Sequence, residues 1–321
     1  MEKNTVLGIN DLGSAVLGNI TGIITPEDAR SESKDKSELI IEKDMPKNTH
    51  KGKVFAAFCA HAREIPYYSG GTCAKLISEG YTGYLVRTSN DDKSGEGTLF
   101  QNILSNETET LNMSKVLGFS DVVNLWYPEH HMHSYSSSTI LSRLIYILRW
   151  LKVDTAISFL PFAFGERNSD HLVTGRTVEQ ACYMSGMEYE YPEHLDYVQA
   201  HTVKEHYYPV VKSGQPFNRV VDIGSSIDKK ISAIVECRSQ GGNSGSQLRK
   251  KLAGEGKRLP ILGKDDHTAD REYVRNFIIT PYKHLGVQYG MEFAEQFYYI
   301  DNRPKGKSEI EEYIEKNAVK L

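Results

Sequence analysis

The chain has 321 residues, 39% hydrophobic and 25% charged, with a formal net charge of -4. That is enough chain for one large domain or two smaller ones, and enough apolar content for a full core. Basic residues are scattered rather than clustered, which excludes a general attraction to nucleic acid or to an anionic membrane surface.

Residues 1–52 read as an N-terminal extension and linker. Val6 to Ile24 is mildly apolar but broken by Asn10, Asp11, Asn19 and several glycines, too interrupted for a membrane span and without a basic segment before it. A cytoplasmic location is expected unless a leader has been trimmed away. Glu27 to Asp44 is dense in mixed charge, with only Leu39, Ile40 and Ile41 to bury, and Pro46 to Gly52 reads as linker. Whether the extension straps the domain or serves an oligomer contact stays open.

From Lys53 the pattern alternates strand with helix. The apolar run Val54 to Ala60 has the length of a buried strand, followed by the polar His61-Ala62-Arg63-Glu64, a Ser69-Gly70-Gly71 turn and a helical pattern from Thr72. Tyr81 to Thr88 reads as a second strand with a polar loop after it, and Leu99 to Leu117 as a helix stopped by Gly118. Asp121 to Tyr127 is a third strand, Thr139 to Lys152 a strongly apolar helix, and Thr155 to Leu160 a fourth strand whose loop ends at His171, where a further helix begins. Such alternation implies right-handed crossovers and a mainly parallel sheet sandwiched by helices. Beyond about Tyr189 the regularity is lost: Glu205 to Val211 and Arg219 to Ile223 look like short strands, Ile227 to Arg238 and Thr268 to Ile279 like helices, and Gln240 to Gly245 like a glycine loop. The expected organisation is α/β and Rossmann-like, with a core over about 53–187, an irregular α+β cap over about 188–300 and a charged tail over 301–321. The four cysteines, Cys59, Cys73, Cys182 and Cys237, show no CxxC spacing and read as buried free thiols.

In open α/β sheets ligands gather outside the carboxyl ends of strands, where His61 and Glu64 follow the first strand and His171 the fourth. Two imidazoles and a carboxylate match the ligand count of a catalytic zinc site, although spacing alone leaves open an unrelated surface cluster. The segment Pro128-Glu129-His130-His131-Met132-His133 reads as a solvated or sugar-contacting loop, with a metal-binding alternative. Arg87, Asn90, Asp91 and Asp92 end the second strand as substrate contacts or as a solvated turn; Asn106 and Glu109, one helical turn apart, read as a helix-surface or strand-bracing pair.

The order of these features resembles the PIG-L, or LmbE-like, N-deacetylase family: an apolar strand ending in Ala60-His61-x-x-Glu64, Ser69-Gly70-Gly71 before a helix, Asn106 and Glu109, Asn168-Ser169-Asp170-His171, and Phe293-Ala294-Glu295-Gln296-Phe297 near the end. The resemblance runs from about Val54 to Phe297. It implies a Rossmann-like fold and zinc-dependent removal of N-acetyl groups from a small-molecule amino-sugar or glycoconjugate, with homo-oligomerisation left open. It assigns His61, Glu64 and His171 to the metal, Asp170 and Asn168 to the catalytic neighbourhood, and Arg87, Asn90 and Asp91 to substrate, to which the reading of the histidine-rich loop as sugar-contacting adds His131. The family's first motif has Asp at positions 63 and 64 of this chain, the first as general base; here Arg63 stands in the base position and cannot accept a proton. Either Arg63 turns toward an acidic group of the ligand and another carboxylate (Glu129, Glu166 or Asp170) is the base, or its guanidinium takes the metal's place and the protein is a catalytically silent binder or subunit. A nucleotide-binding Rossmann protein is disfavoured, because no G-x-G-x-x-G follows the first strand.

Overall fold

A computed structural model describes residues 39–162, 165–212, 214–240, 244–303 and 306–319; those from Ile40 onward belong to one compact unit, Ile40–Leu321. Residues 1–38 of the extension and 241–243 of the glycine loop lie outside the described residues.

The sheet contains β1 (Ile40–Glu42), β2 (Val54–Cys59), β3 (Thr82–Ser89), β4 (Asp121–Tyr127), β5 (Thr155–Ile157), β6 (Glu205–Pro209), β7 (Arg219–Asp222) and β8 (Ala294–Asp301). Their order is β1-β7-β8-β6-β5-β2-β3-β4. β6, β5, β2, β3 and β4 run parallel, and β8 enters antiparallel between β6 and β7. The outer edge comes from the extension itself: Ile40–Glu42 pairs in parallel with Arg219–Val221, so the short apolar run Leu39-Ile40-Ile41 ends in a strand.

Strand residues alternate between two cores, as they must when both faces are covered. Phe55, Ala57 and Cys59 face one side with Leu85, Ile157, Tyr207 and Phe297. There they meet α2 (Gly70–Ser78), α3 (Leu99–Leu117) and α6 (Ile227–Glu236) through Cys73, Leu76, Met113, Leu117 and Ala233. Ala56, Phe58, Val86 and Ala156 face the other side, against Leu141, Leu144 and Leu148 of α4 (Ser137–Leu151) and Val178 and Ala181 of α5 (Ser169–Met184). Among the described residues no helix is long and apolar enough to cross a membrane.

Three boundaries differ from the sequence reading. Glu64 lies in a short helix, α1 (Glu64–Tyr68), not in a loop. Gly70 and Gly71 open α2 instead of making a turn; a Cβ on Gly71 would stand 2.8 Å from the Ile223 side chain, so glycine is there for close packing. β5 stops at Ile157, its last residue in register with β2 and β6, although β2 itself runs on to Cys59, and Ser158 to Phe162 continue beyond the strand. The cap supplies α7 (Gly245–Gly254), α8 (Asp266–Tyr273), a π-helical turn at Val274–Ile278 in place of an uninterrupted helix, α9 (Thr280–Gln288) and, after β8, α10 (Glu309–Asn317).

The cap is fastened to the core by a buried ion pair. Glu295 of β8 accepts from the N–H groups of Gly71 (3.0 Å) and Thr72 (2.8 Å), satisfying free donors at the start of α2. Lys230 of α6 reaches Glu295 at 2.8 Å and donates to the Pro66 carbonyl at 2.9 Å, with both charged side chains fully buried. That contact pins α1, the helix that carries Arg63 at its N-cap and Glu64 at its first position.

Candidate metal centre

Connections from β2 lead first toward β3 and β4 and later return to β5 on the other side, so the strand order reverses between β2 and β5. Such a reversal opens a crevice at the carboxyl ends of the two strands. His61 and Glu64 leave β2 there, and β5 continues through Phe159 to the start of α5 with His171.

The three side chains converge. His61 Nδ1 lies 2.7 Å from Glu64 Oε1, His171 Nε2 lies 2.5 Å from the same oxygen, and the two nitrogens are 3.3 Å apart. Ligand atoms of a tetrahedral zinc with bonds of about 2.0–2.1 Å stand roughly 3.3 Å from each other, so the histidine pair already has that spacing. The second oxygen of Glu64 accepts from the Ala60 and His61 N–H groups at 2.9 and 3.1 Å, which turns the longer glutamate side chain back over its own loop. Phe159 stacks on the His171 ring at 4.5 Å with an interplanar angle of 10°.

Behind each ring stands a carboxylate. His61 Nε2 is 3.6 Å from both Glu129 Oε1 and Asp170 Oδ2, and His171 Nδ1 is 3.1 Å from Glu166 Oε2, an ion-pair contact without hydrogen-bond alignment. Metal-ligating histidines commonly present the second ring nitrogen to a carboxylate in this way. A nitrogen, nitrogen and oxygen donor set with acidic groups behind it fits a divalent cation of the zinc type.

The electrostatics demand positive charge. Burial alone would lower the His61 pKa, but Glu64 and Asp170 override it and raise the ring to about 11. Burial would raise Glu64, yet His171 and His61 hold it at about 2. His171 is raised by Glu64 and Glu166 against the same burial penalty, and Asp170, opposed by burial, is held low by His61 and by the His130 N–H.

A cavity of about 220 Å³ adjoins the cluster, lined by His61, Arg63, Glu64, Tyr67, Tyr68, Ser94, Glu129, Asn168, His171 and Gln240. Arg63 does not enter the triangle of His61, Glu64 and His171. Its guanidinium lies over the Tyr67 ring at 4.8 Å and donates to the Gln240 carbonyl. Asn168 accepts from the Asp170 N–H at 2.9 Å as the N-cap of α5, so its side-chain oxygen is committed to the helix. Asp170 is fully buried beneath His61, accepting from the His130 N–H at 2.5 Å.

The four residues expected to meet substrate do not line this cavity. Arg87 and Asp91 are fully buried: Arg87 pairs with Asp91 at 3.2 Å and with Glu107 at 2.5 Å, the partners a guanidinium inside the fold requires. Asp91 also accepts from Ala62 N and Gln240 Nε2, so it supports the floor of the site. Asn90 braces the same loop by accepting from Asp92 N at 3.2 Å, and His131 is exposed and faces His133. Asn106 and Glu109 do brace: Asn106 Nδ2 holds the Asp91 and Ser94 carbonyls, and Glu109 accepts from Ser239 N and Oγ. Asp91, Trp126 and His130 all have positive φ (53°, 61° and 61°), placing left-handed backbone in or just after the two strands beside the site.

Residues that were not singled out for the site are Tyr67, Tyr68, Ser94 and Gln240. Recognising α1 would have signalled the two tyrosines, three and four positions beyond Glu64; Gln240 arrives from another part of the chain and had no local signal.

No family model matches the chain. Among solved structures it is similar to an N,N'-diacetylchitobiose deacetylase from Pyrococcus horikoshii, with TM-score 0.62 and 17% identity over 97% of this chain and 100% of that one. It is also similar to GalB, a 4-carboxy-2-hydroxymuconate hydratase from Pseudomonas putida, at TM-score 0.56 and 16% identity over 80% and 99% of the two chains. A deacetylase of teicoplanin biosynthesis follows at TM-score 0.52 and 9% identity over 79% and 100%. At these identities the likeness is one of fold.

Proposed function

We propose that the protein is a metal-dependent amidohydrolase that removes an N-acetyl group from an amino-sugar-type conjugate, with His61, Glu64 and His171 holding a divalent cation, zinc by preference. The observation that carries this reading is the convergence of His61 Nδ1, Glu64 Oε1 and His171 Nε2 at the strand-order reversal, with Asp170 behind the first ring and Glu166 behind the second. Two of the three similar structures named above are deacetylases, which supports the reaction class; the other is a hydratase, so the fold alone does not name the bond that is attacked.

A cation held there supplies Lewis-acid activation of water and of an acyl carbonyl. The remaining roles belong to this chain's residues. A guanidinium is not a proton acceptor, so the base is sought among the carboxylates that face the cavity. Glu166 is turned to the back of His171 and Asp170 lies beneath His61; Glu129 also meets the back of His61, but it is the one of the three that lines the cavity. Its carboxylate is aimed by the Lys93 N–H and the Ser94 hydroxyl, both at 2.8 Å. Glu129 therefore takes the proton of the attacking water and returns it toward the departing amine. Asp170 and Glu166 fix the imidazoles, and Asn168, whose oxygen caps α5, lines the cavity.

The test is the metal content of protein purified without added metal or chelator, by elemental mass spectrometry, with His171→Ala as control. About one zinc per chain, lost in the control, followed by release of free amine from N-acetylated sugars, is the expected result. Protein that stays empty when zinc is offered would overturn the reading.

A further inference from the structure

We infer that Arg63 marks a subsite for an anionic group, so that the substrate is an N-acyl compound bearing a carboxylate or phosphate close to its acylated amine; this rests on the proposed amidohydrolase function for the position of the acyl group. Arg63 lines the same 220 Å³ cavity as His61, Glu64 and His171. Its guanidinium is held by the Tyr67 ring and the Gln240 carbonyl, and among the described residues it has no carboxylate partner. Arg87, the fully buried guanidinium beside the site, is by contrast matched by Asp91 and Glu107. A fixed, unmatched guanidinium beside a catalytic cluster presents its forked donors to planar or tetrahedral oxyanions and loses little entropy in doing so.

A second feature points the same way. The cavity shares Ser94 and Gln240 with a larger groove of about 960 Å³, whose walls carry Lys93, Arg238, Ser239, Gln101 and Asn102 against one acidic side chain, Glu96. Arg238 likewise forms no ion pair among the described residues, and its Nε donates to the Val235 carbonyl at 3.3 Å. An extended polar substrate fits this groove with its anion at Arg63 and further hydroxyl groups along the amide-lined wall.

The test is calorimetric binding of three matched probes, N-acetylglucosamine, its 6-phosphate and N-acetylmuramate, to wild type, Arg63→Gln and Arg63→Lys, with turnover measured in parallel. Wild type is expected to bind at least one anionic probe roughly tenfold or more tighter than the neutral sugar, with the preference shrinking as salt is raised. Arg63→Gln should bring the ratio close to one, while Arg63→Lys keeps part of it; because the ratio compares probes on one protein, partial misfolding does not imitate the effect. The phosphate and carboxylate arms separate the two sources of anion. Equal affinity for neutral and anionic probes, a preference that survives Arg63→Gln, or no binding up to about 10 mM would overturn the inference. A zinc-loaded protein that cleaves all three sugars alike would sink the anion subsite and leave the hydrolase reading standing, whereas a metal-free protein that still discriminates by charge would do the reverse.

Discussion

Glu64 is the residue on which the centre turns, because one of its oxygens meets both histidines while the other is held by two backbone N–H groups. That arrangement sets a pH dependence. In the absence of metal the His61 charge, raised to about 11, stabilises the fold fully below its ordinary value of 6.5 and is lost as pH rises through about 11. The Glu64 charge, lowered to about 2, contributes above 4.5 and is lost as pH falls through about 2. Between those limits a cation must displace ring protons, so zinc affinity should rise with pH from about 6 to 8, by up to about tenfold per unit for each proton released. Titration calorimetry in buffers of different ionisation enthalpy counts those protons, and uptake without proton release would contradict the assignment. Glu129→Gln should lower kcat by about 10²–10⁴-fold with zinc content unchanged; loss of zinc instead would make Glu129 a ligand. At this scale the sequence revealed residue types but not directions. His61, Glu64 and His171 could be named from their places at strand ends, whereas Arg87 looked like a substrate contact because its partner Glu107 sits on α3, outside the strand and loop that defined the motif.

Elements whose limits are set by local chemistry were legible. α3 begins after a Thr98–Gln101 capping box and ends at Gly118 in the left-handed conformation, so its expected span, Leu99 to Leu117, is the observed one. β4 likewise runs over Asp121–Tyr127 as expected. The short α1 was hidden because Pro66 and two tyrosines break the apolar period, and its stability comes from distant groups, above all Lys230 on the Pro66 carbonyl. This gives an element-scale prediction: Glu295→Gln strands the Lys230 charge in the interior and should cost about 3–5 kcal/mol, measured by urea unfolding. Lys230→Met with Glu295→Leu should recover much of that loss while loosening α1, read as weaker zinc binding at near-normal stability; a double variant as unstable as the single one would argue against the staple.

For the whole molecule, strand and helix periodicity identified the α/β class and the mainly parallel sheet, because strands buried on both faces give continuous apolar runs between helices. The antiparallel entry of β8 was not legible, since pairing across the sheet leaves no local pattern. The centre joins α5 to the β2 loop near the middle of the sheet, so metal binding should register as global stability. Zinc at about 100 times its Kd adds about 2.7 kcal/mol, enough to raise Tm by roughly 5 °C or more, and His171→Ala should abolish that increment. Calorimetric scans with and without zinc decide it; a shift that persists in the variant would place the ion elsewhere.

The edge strand β1 carries a consequence in time. Ile40 is made about 180 residues before its partner Arg219, roughly 10–40 s of synthesis at ordinary rates. Until then Glu42 cannot meet Arg219 or the Tyr207 hydroxyl, and the buried Lys75 ammonium has only Glu79 beside it. The nascent chain therefore emerges with β2 to β5 able to assemble in sequence while β1 waits, and the sheet closes at this border only after the core exists.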